Sequence, residues 1–316
     1  MTDVAGRIRR QLDQLSPNDL RIAHRLLDFP AEAPFETAES LAAASGVALW
    51  NVAGRWGHPE DAVAVGLLLY AILALSRSQV PLAGWLTGFA VCVQPLVLLA
   101  VPVLAAVLPP RRIPAFLIRG ALPSAVLLGA AAIANWSATY TAVTSQPNSP
   151  SINHPTLWTG LAPHMSGGDV AAGPARALTI LLACCCALAL RRRWHAARAM
   201  SPGGIWSSGF LCDVLWWSAL ALALRSFFEP VMVSYYLWPV LAAGLIPTAT
   251  LTWRRLIAAS VVASAVTGLA QGSWHNVWLW WLPVIAGLIA LLALGRRLRI
   301  SGNRQQHGVD SAVVTS

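Results

Sequence analysis

The stretch GWLTGFAVCVQPLVLLAVPVLAA, Gly84 to Ala106, decides how this chain is built. It lies within an apolar run over 81–108, longer than the ~20 residues a helix needs to cross the hydrocarbon of a bilayer, and Gln94-Pro95 interrupts that run. Proline removes a backbone donor and collides with the preceding turn, so the helical ladder breaks there. Two geometries satisfy the pattern: one kinked crossing, or two half-helices meeting at Gln94-Pro95 as a re-entrant hairpin. The choice fixes the side of everything upstream. A single crossing makes residues 1–61 cytoplasmic, whereas a hairpin turns residues 57–61 outward, together with the loop over 138–173.

Working outward from this stretch, further apolar runs at 62–76, 120–137, 174–190, 207–224, 231–249, 256–271 and 277–295 are candidates for crossings. The expected fold class is therefore all-α, a transmembrane bundle of seven or eight helices over residues 48–300, with a small helical segment over 1–47 and a disordered cytoplasmic tail over 301–316. Composition agrees: 56% of residues are hydrophobic and 11% charged, against about 25% charged in an ordinary soluble domain. Nine of the thirteen acids lie between Asp3 and Asp61, while fifteen arginines fall between Arg77 and Arg299, mostly between apolar runs. Clusters at Arg111/Arg112/Arg119, Arg191/Arg192/Arg193/Arg198, Arg254/Arg255 and Arg296/Arg297/Arg299 all belong on the cytoplasmic side. That assignment excludes a nucleic-acid patch as the source of the positive charge and puts the protein in the plasma membrane, its C-terminus inside and lipid as its constant partner.

The five cysteines stand in apolar stretches without CxxC spacing or neighbouring histidines, so neither a disulfide framework nor a metal site is expected, nor any cofactor. Trp136, Trp158, Trp238, Trp253, Trp274 and Trp278 sit near expected helix ends, where interfacial anchoring accounts for most of them. A sugar-stacking platform is the sharper alternative. Asp213, inside an apolar helix, should face the bundle and pair with a polar group.

Gly57-His58-Pro59-Glu60-Asp61 runs straight into the first apolar segment. Ionisable groups at membrane depth are costly and are candidates for function. Acids in a helix's first turn are also favoured by the macrodipole, so an ordinary helix start explains them as well.

In the N-terminal segment, Val4, Ile8, Leu12 and Leu15 share one helical face. Ser16-Pro17-Asn18-Asp19 opens a second helix, with serine as cap and proline at the first position. Thr37 can cap a third, and Ser45-Gly46-Val47 supplies the tight turn of a helix-turn-helix. The run from Arg7 to Val47 resembles the N-terminal helix-turn-helix of RpiR-type phosphosugar-responsive transcription regulators. That resemblance implies DNA as a partner, with Ala48, Leu49, Trp50, Asn51 and Ala53 at the reading positions and Arg55 near the end of the reading helix. The chain departs from the pattern there: apolar Leu49 and Trp50 cannot discriminate bases by hydrogen bonding, Gly54 weakens the helix, and no sugar-isomerase-like domain follows.

The order of features from Asn51 onward, with LTGFAVCVQPLVLL over 86–99 and FFEPVMVSYYLWPVLAAGL over 227–245, looks like the multi-pass GT-C glycosyltransferases that use polyprenyl-phosphate sugars. This resemblance covers roughly 48–295. It implies a lipid-phosphate sugar donor and an extracytoplasmic carboxylate acting as base toward an acceptor hydroxyl. The family's catalytic aspartate normally stands in the first outer loop, behind a first transmembrane helix, and this chain has neither, so the enzyme half reads as truncated and the junction as a fused or rearranged reading frame. Glu60 or Asp61 with His58 is then the expected catalytic group, Arg225 the phosphate partner, and His154, His164 and His275 the lining of the outer cleft. A base must reach the hydroxyl within hydrogen-bond distance, and a guanidinium can fork a phosphate. A membrane-tethered DNA-binding regulator is the alternative, and a transporter or scaffold, in which broken helices also occur, a second one.

Overall fold

The computed structural model describes residues 58–144, 175–200, 206–228, 234–271 and 277–297. The described residues are all-helical, with ten α-helices and no strand. In chain order these are α1 (Glu60–Ser76), α2 (Val80–Val93), α3 (Val101–Ala106), α4 (Ile113–Ala134), α5 (Trp136–Thr144), α6 (Ala175–Met200), α7 (Ser208–Phe228), α8 (Leu237–Ala249), α9 (Trp253–Gln271) and α10 (Val277–Gly295). Two helical stretches, Pro110–Ala134 and Gly209–Phe228, are long and apolar enough to cross a membrane. The N-terminal segment and the C-terminal tail lie outside the described residues, as do most of the loop over 138–173 and the loop over 272–276.

Helices α1 and α2 form a tight antiparallel pair. Their turn is a Schellman motif: Gln79 N–H donates to the Ala74 carbonyl at 2.8 Å and Ser78 N–H to Leu75 at 3.0 Å, with Ser78 at φ 61°. That left-handed position is one glycine normally fills, since a Cβ there crowds the backbone.

Glycines set the next contact. A Cβ added at Gly84 would stand 3.0 Å from the Phe116 carbonyl oxygen, and one at Gly88 would stand 2.6 Å from that of Gly120. One turn on, Cys92 Sγ lies 3.3 Å from Ser124 Oγ. Residue numbers rise together along both helices, so α2 and α4 are parallel. Parallel neighbours demand a return, and the chain makes it between Gln94 and Arg112. Gln94 leaves the helix in an extended conformation (φ −143°, ψ 105°), Pro95 opens a 3₁₀ segment over Pro95–Ala100, and α3 carries the chain back. Of the two readings of Gln94-Pro95, the hairpin is the one the protein adopts. At the return's end, Arg191 Nη1 donates to the Ala106 carbonyl at 2.8 Å and also to that of Leu108.

The remaining helices alternate, and side-chain contacts identify both ends of the bundle. At one end, Arg193 Nη1 meets Asp213 Oδ2 at 3.2 Å, Arg255 Nη1 donates to the Arg296 carbonyl at 2.9 Å, and Trp216 Nε1 donates to the Leu292 carbonyl at 2.7 Å. This arginine end gathers the return of the hairpin, the end of α6, the starts of α7 and α9, and the end of α10. Helix α7 runs through the middle of the molecule, with Val214, Ala219, Ala221 and Leu222 fully covered. By contrast, α4 buries only Phe116 and Pro123, leaving Leu117, Ile118, Leu122, Val126, Leu127, Leu128 and Ile133 exposed.

Three expectations are adjusted. The run over 231–249 becomes helical only at Leu237, because Ser234–Tyr236 form a 3₁₀ turn. The run over 120–137 begins its helix earlier, at Ile113, and Trp136 starts a new helix. Trp136 and Trp253 are exposed, as interfacial anchors would be, but Trp238 is packed into the core. The cysteines are free, Cys184 and Cys185 exposed, Cys186 and Cys212 buried.

Candidate functional site

The end opposite the arginines collects most of the remaining polar chemistry. Helix α1 opens with Glu60 and Asp61 in its first turn, where the free N–H groups and the macrodipole favour carboxylates. Asp61 is 1% exposed. Its Oδ1 accepts a short hydrogen bond from the side-chain amide of Gln94, the residue at the tip of the hairpin. Beside it, His58 Nδ1 and Glu60 Oε1 are 2.6 Å apart, both half-buried.

The second half of the cluster comes from the junction of α7 and α8. The His58 imidazole stacks on the Tyr235 ring at 3.8 Å between centroids, and Tyr235 meets Tyr236 edge-on at 4.7 Å. The Arg225 guanidinium lies over the Tyr236 ring at 3.6 Å, close enough to Asp61 for its charge to act on that carboxylate. Cation–ring packing of this kind fixes the plane of the guanidinium. Next to it, Ser226 is 1% exposed and its hydroxyl has no hydrogen-bond partner among the described residues.

His58, Glu60 and Asp61, expected to act together, are thus joined to Arg225, which is 164 residues further along the chain than Asp61 (225 − 61). The six remaining candidates, His154, His164, His275, Trp50, Asn51 and Arg55, fall outside the described residues. Asp213 belongs to the other end, in its pair with Arg193, as an acid in an apolar helix requires. Sequence reasoning missed Gln94 as a site residue, having noted it only for breaking the helix. It also missed Tyr235 and Tyr236, whose signal was a tyrosine pair immediately before an apolar helix. Among the described residues no group of three or more histidine, cysteine, aspartate or glutamate side chains could hold a metal.

What the arrangement offers is a covered carboxylate held by one amide donor, an arginine held flat by an aromatic ring, and two tyrosine rings between them. Such a set can take a proton from a hydroxyl and neutralise a phosphate. No protein family, curated protein or solved structure matches the chain.

Proposed function

We propose that this chain is a multi-pass integral membrane protein of GT-C ancestry, and that the cluster around Asp61 transfers a sugar from a polyprenyl-phosphate donor to an acceptor hydroxyl. The observation that carries the reading is that Asp61 and Arg225 share the end of the bundle opposite the arginines, near enough for the guanidinium's charge to act on the carboxylate. By the positive-inside rule the arginine end and the C-terminus are cytoplasmic, so the cluster faces outward. In the reaction, the acceptor oxygen bonds to the sugar's anomeric carbon as the bond from that carbon to the phosphate oxygen breaks. The acceptor's proton passes to the Asp61 carboxylate, and polyprenyl phosphate leaves against the Arg225 guanidinium. Asp61 here takes the part that the family gives to an aspartate in its first outer loop.

Depth supports a lipid-borne donor. Cys92 and Ser124 are level and Gln94 at the hairpin tip is two residues beyond Cys92, so about eight residues of α4 continue past the tip, about 12 Å at the usual helical rise. The cluster is recessed by that much, beside an apolar stretch of α4 that no other described helix covers. An acceptor hydroxyl can come from solvent; a polyprenyl chain would come from the side.

Membranes carrying the protein should transfer sugar from a polyprenyl-phosphate donor, and Asp61→Asn should lower that rate by about 10²–10⁴-fold. No transfer by the unaltered protein overturns the proposal. The DNA-binding alternative needs residues 1–57 on the arginine side, whereas His58 stands at the other end, against Tyr235.

A further inference from the structure

Gln94 has two features that a simple helix break does not need. Its side chain reaches back from the tip of the hairpin to a carboxylate 33 residues earlier. It is also the one donor to the Asp61 side chain among the described residues, and Asp61 is otherwise closed off from solvent. A carboxylate has two oxygens and about four acceptor positions, so a single amide on Oδ1 fixes its plane and leaves Oδ2 to be approached. The backbone explains why the donor can be there. Pro95 forces Gln94 out of the helix into an extended conformation, which turns its side chain from the flank of α2 toward the start of α1.

We propose that Gln94 is a positioning residue: its amide holds Oδ1 of Asp61 so that Oδ2 is presented to the acceptor hydroxyl. The second clause rests on the transferase reading above, and the first does not. The hairpin thereby acquires a purpose beyond topology, because it delivers one hydrogen-bond donor to the recessed end of α1. The other groups around Asp61 are His58 and Glu60 on its own segment, Arg225 on α7 and Tyr235 before α8. Among the described residues none of these donates a hydrogen bond to the Asp61 carboxylate, which leaves that part to Gln94.

Two measurements test this on the full-length protein in membranes. Dicyclohexylcarbodiimide, a lipid-soluble carboxyl reagent, is applied and modification of Asp61 is followed by peptide mass spectrometry, with Asp213 as internal standard. Gln94→Leu should raise Asp61 labelling by about tenfold or more, the change expected when one hydrogen bond to a charged group is lost, with Asp213 unaltered. Gln94→Asn, which keeps the amide but shortens its reach, should do the same, and stands in if the leucine variant does not accumulate. Labelling of Asp61 that is unchanged in both variants overturns the positioning role. In the transfer assay, Gln94→Leu should lower kcat by about tenfold with donor KM within about twofold, and should cost nothing further in an Asp61→Asn background. An independent, multiplicative loss in the double variant also overturns it. If the unaltered protein transfers no sugar, the glycosyltransferase reading fails while the labelling result still decides whether Gln94 holds Asp61.

Discussion

Replacing Gly88 by alanine tests the contact on which the hairpin, and with it the reach of Gln94 to Asp61, depends. The added Cβ would stand 2.6 Å from the Gly120 carbonyl oxygen and 2.9 Å from two carbons of the Pro123 ring. Carbon and oxygen in ordinary contact are roughly 3.3 Å apart or more, so α2 and α4 must separate by about 0.7 Å. Neither obstacle can yield by a rotamer change, because one is backbone and the other a closed ring. Overpacking typically costs about 1–3 kcal/mol, and rigid neighbours place this case in the upper half, about 2–3 kcal/mol. Against that stands a gain of up to ~1 kcal/mol from replacing glycine within a helix. The net expectation is a loss of about 1–2 kcal/mol, or about 1.5–3 °C in Tm from the usual unfolding entropy per residue. Gly66→Ala is the matched control, since a Cβ there meets nothing within 4 Å and should stabilise. Thermal unfolding of both variants in the same detergent, followed by a fluorescent reporter that detects aggregation, gives the comparison. If Gly88→Ala is as stable as Gly66→Ala, α2 and α4 are not packed in parallel at this register, and the chain has no need to return through residues 95–112.

Ser78→Gly should raise the unfolding temperature, because the left-handed conformation at φ 61° costs serine about 1 kcal/mol that glycine does not incur; an unchanged or lower value in the same assay would contradict the Schellman turn. Gly287→Ala should destabilise the pairing of α9 and α10, since its Cβ would fall 2.2 Å from Val266 Cγ2, and Val266→Ala in the same chain should restore most of the loss. Arg193→Met should cost more than Arg193→Met combined with Asp213→Leu, because the single change leaves a half-buried carboxylate without its cation; equal stability would mean that the pair is too well solvated to matter. A cysteine at position 58, in a chain stripped of its other cysteines, should react with a membrane-impermeant maleimide in intact cells, whereas one at Arg254 should react only after permeabilisation.

The fold was legible where apolar length and arginine spacing speak for themselves. Helices over 60–76 and 253–271 follow from runs at 62–76 and 256–271 with small shifts at their ends, whereas the run at 174–190 continues as helix through its arginines to Met200. The Gln94-Pro95 break was visible too, but its outcome was not, since proline says that a ladder stops and not where the chain goes next. What settles it is Gly84 and Gly88 against Phe116 and Gly120, a contact between segments whose glycines carry no sequence signal of partnership. The candidate site divides along the same line. Two adjacent acids before an apolar run announce themselves, and so does a lone arginine at the end of an apolar helix. Gln94 does not, because an amide in an apolar stretch earns attention only once its partner is known.

The two ends of this molecule also bear on its N-terminal segment. A helix-turn-helix that reads DNA must be in the cytoplasm, and residues 1–57 contain no run of apolar residues long enough to carry the chain across a bilayer before His58. His58 in turn is tied to Tyr235 by ring stacking, and Tyr235 precedes α8, which leads from the cluster toward the arginine end, where Pro247 accepts from Cys212 near the start of α7. For residues 7–47 to reach DNA, the end that holds Arg193, Arg255 and Arg296 would have to face outward, against the preference of arginines for the cytoplasmic side at about 1 kcal/mol for each one near an anionic leaflet. The resemblance of residues 7–47 to a regulator and the positive-inside rule therefore make opposite demands on the same molecule.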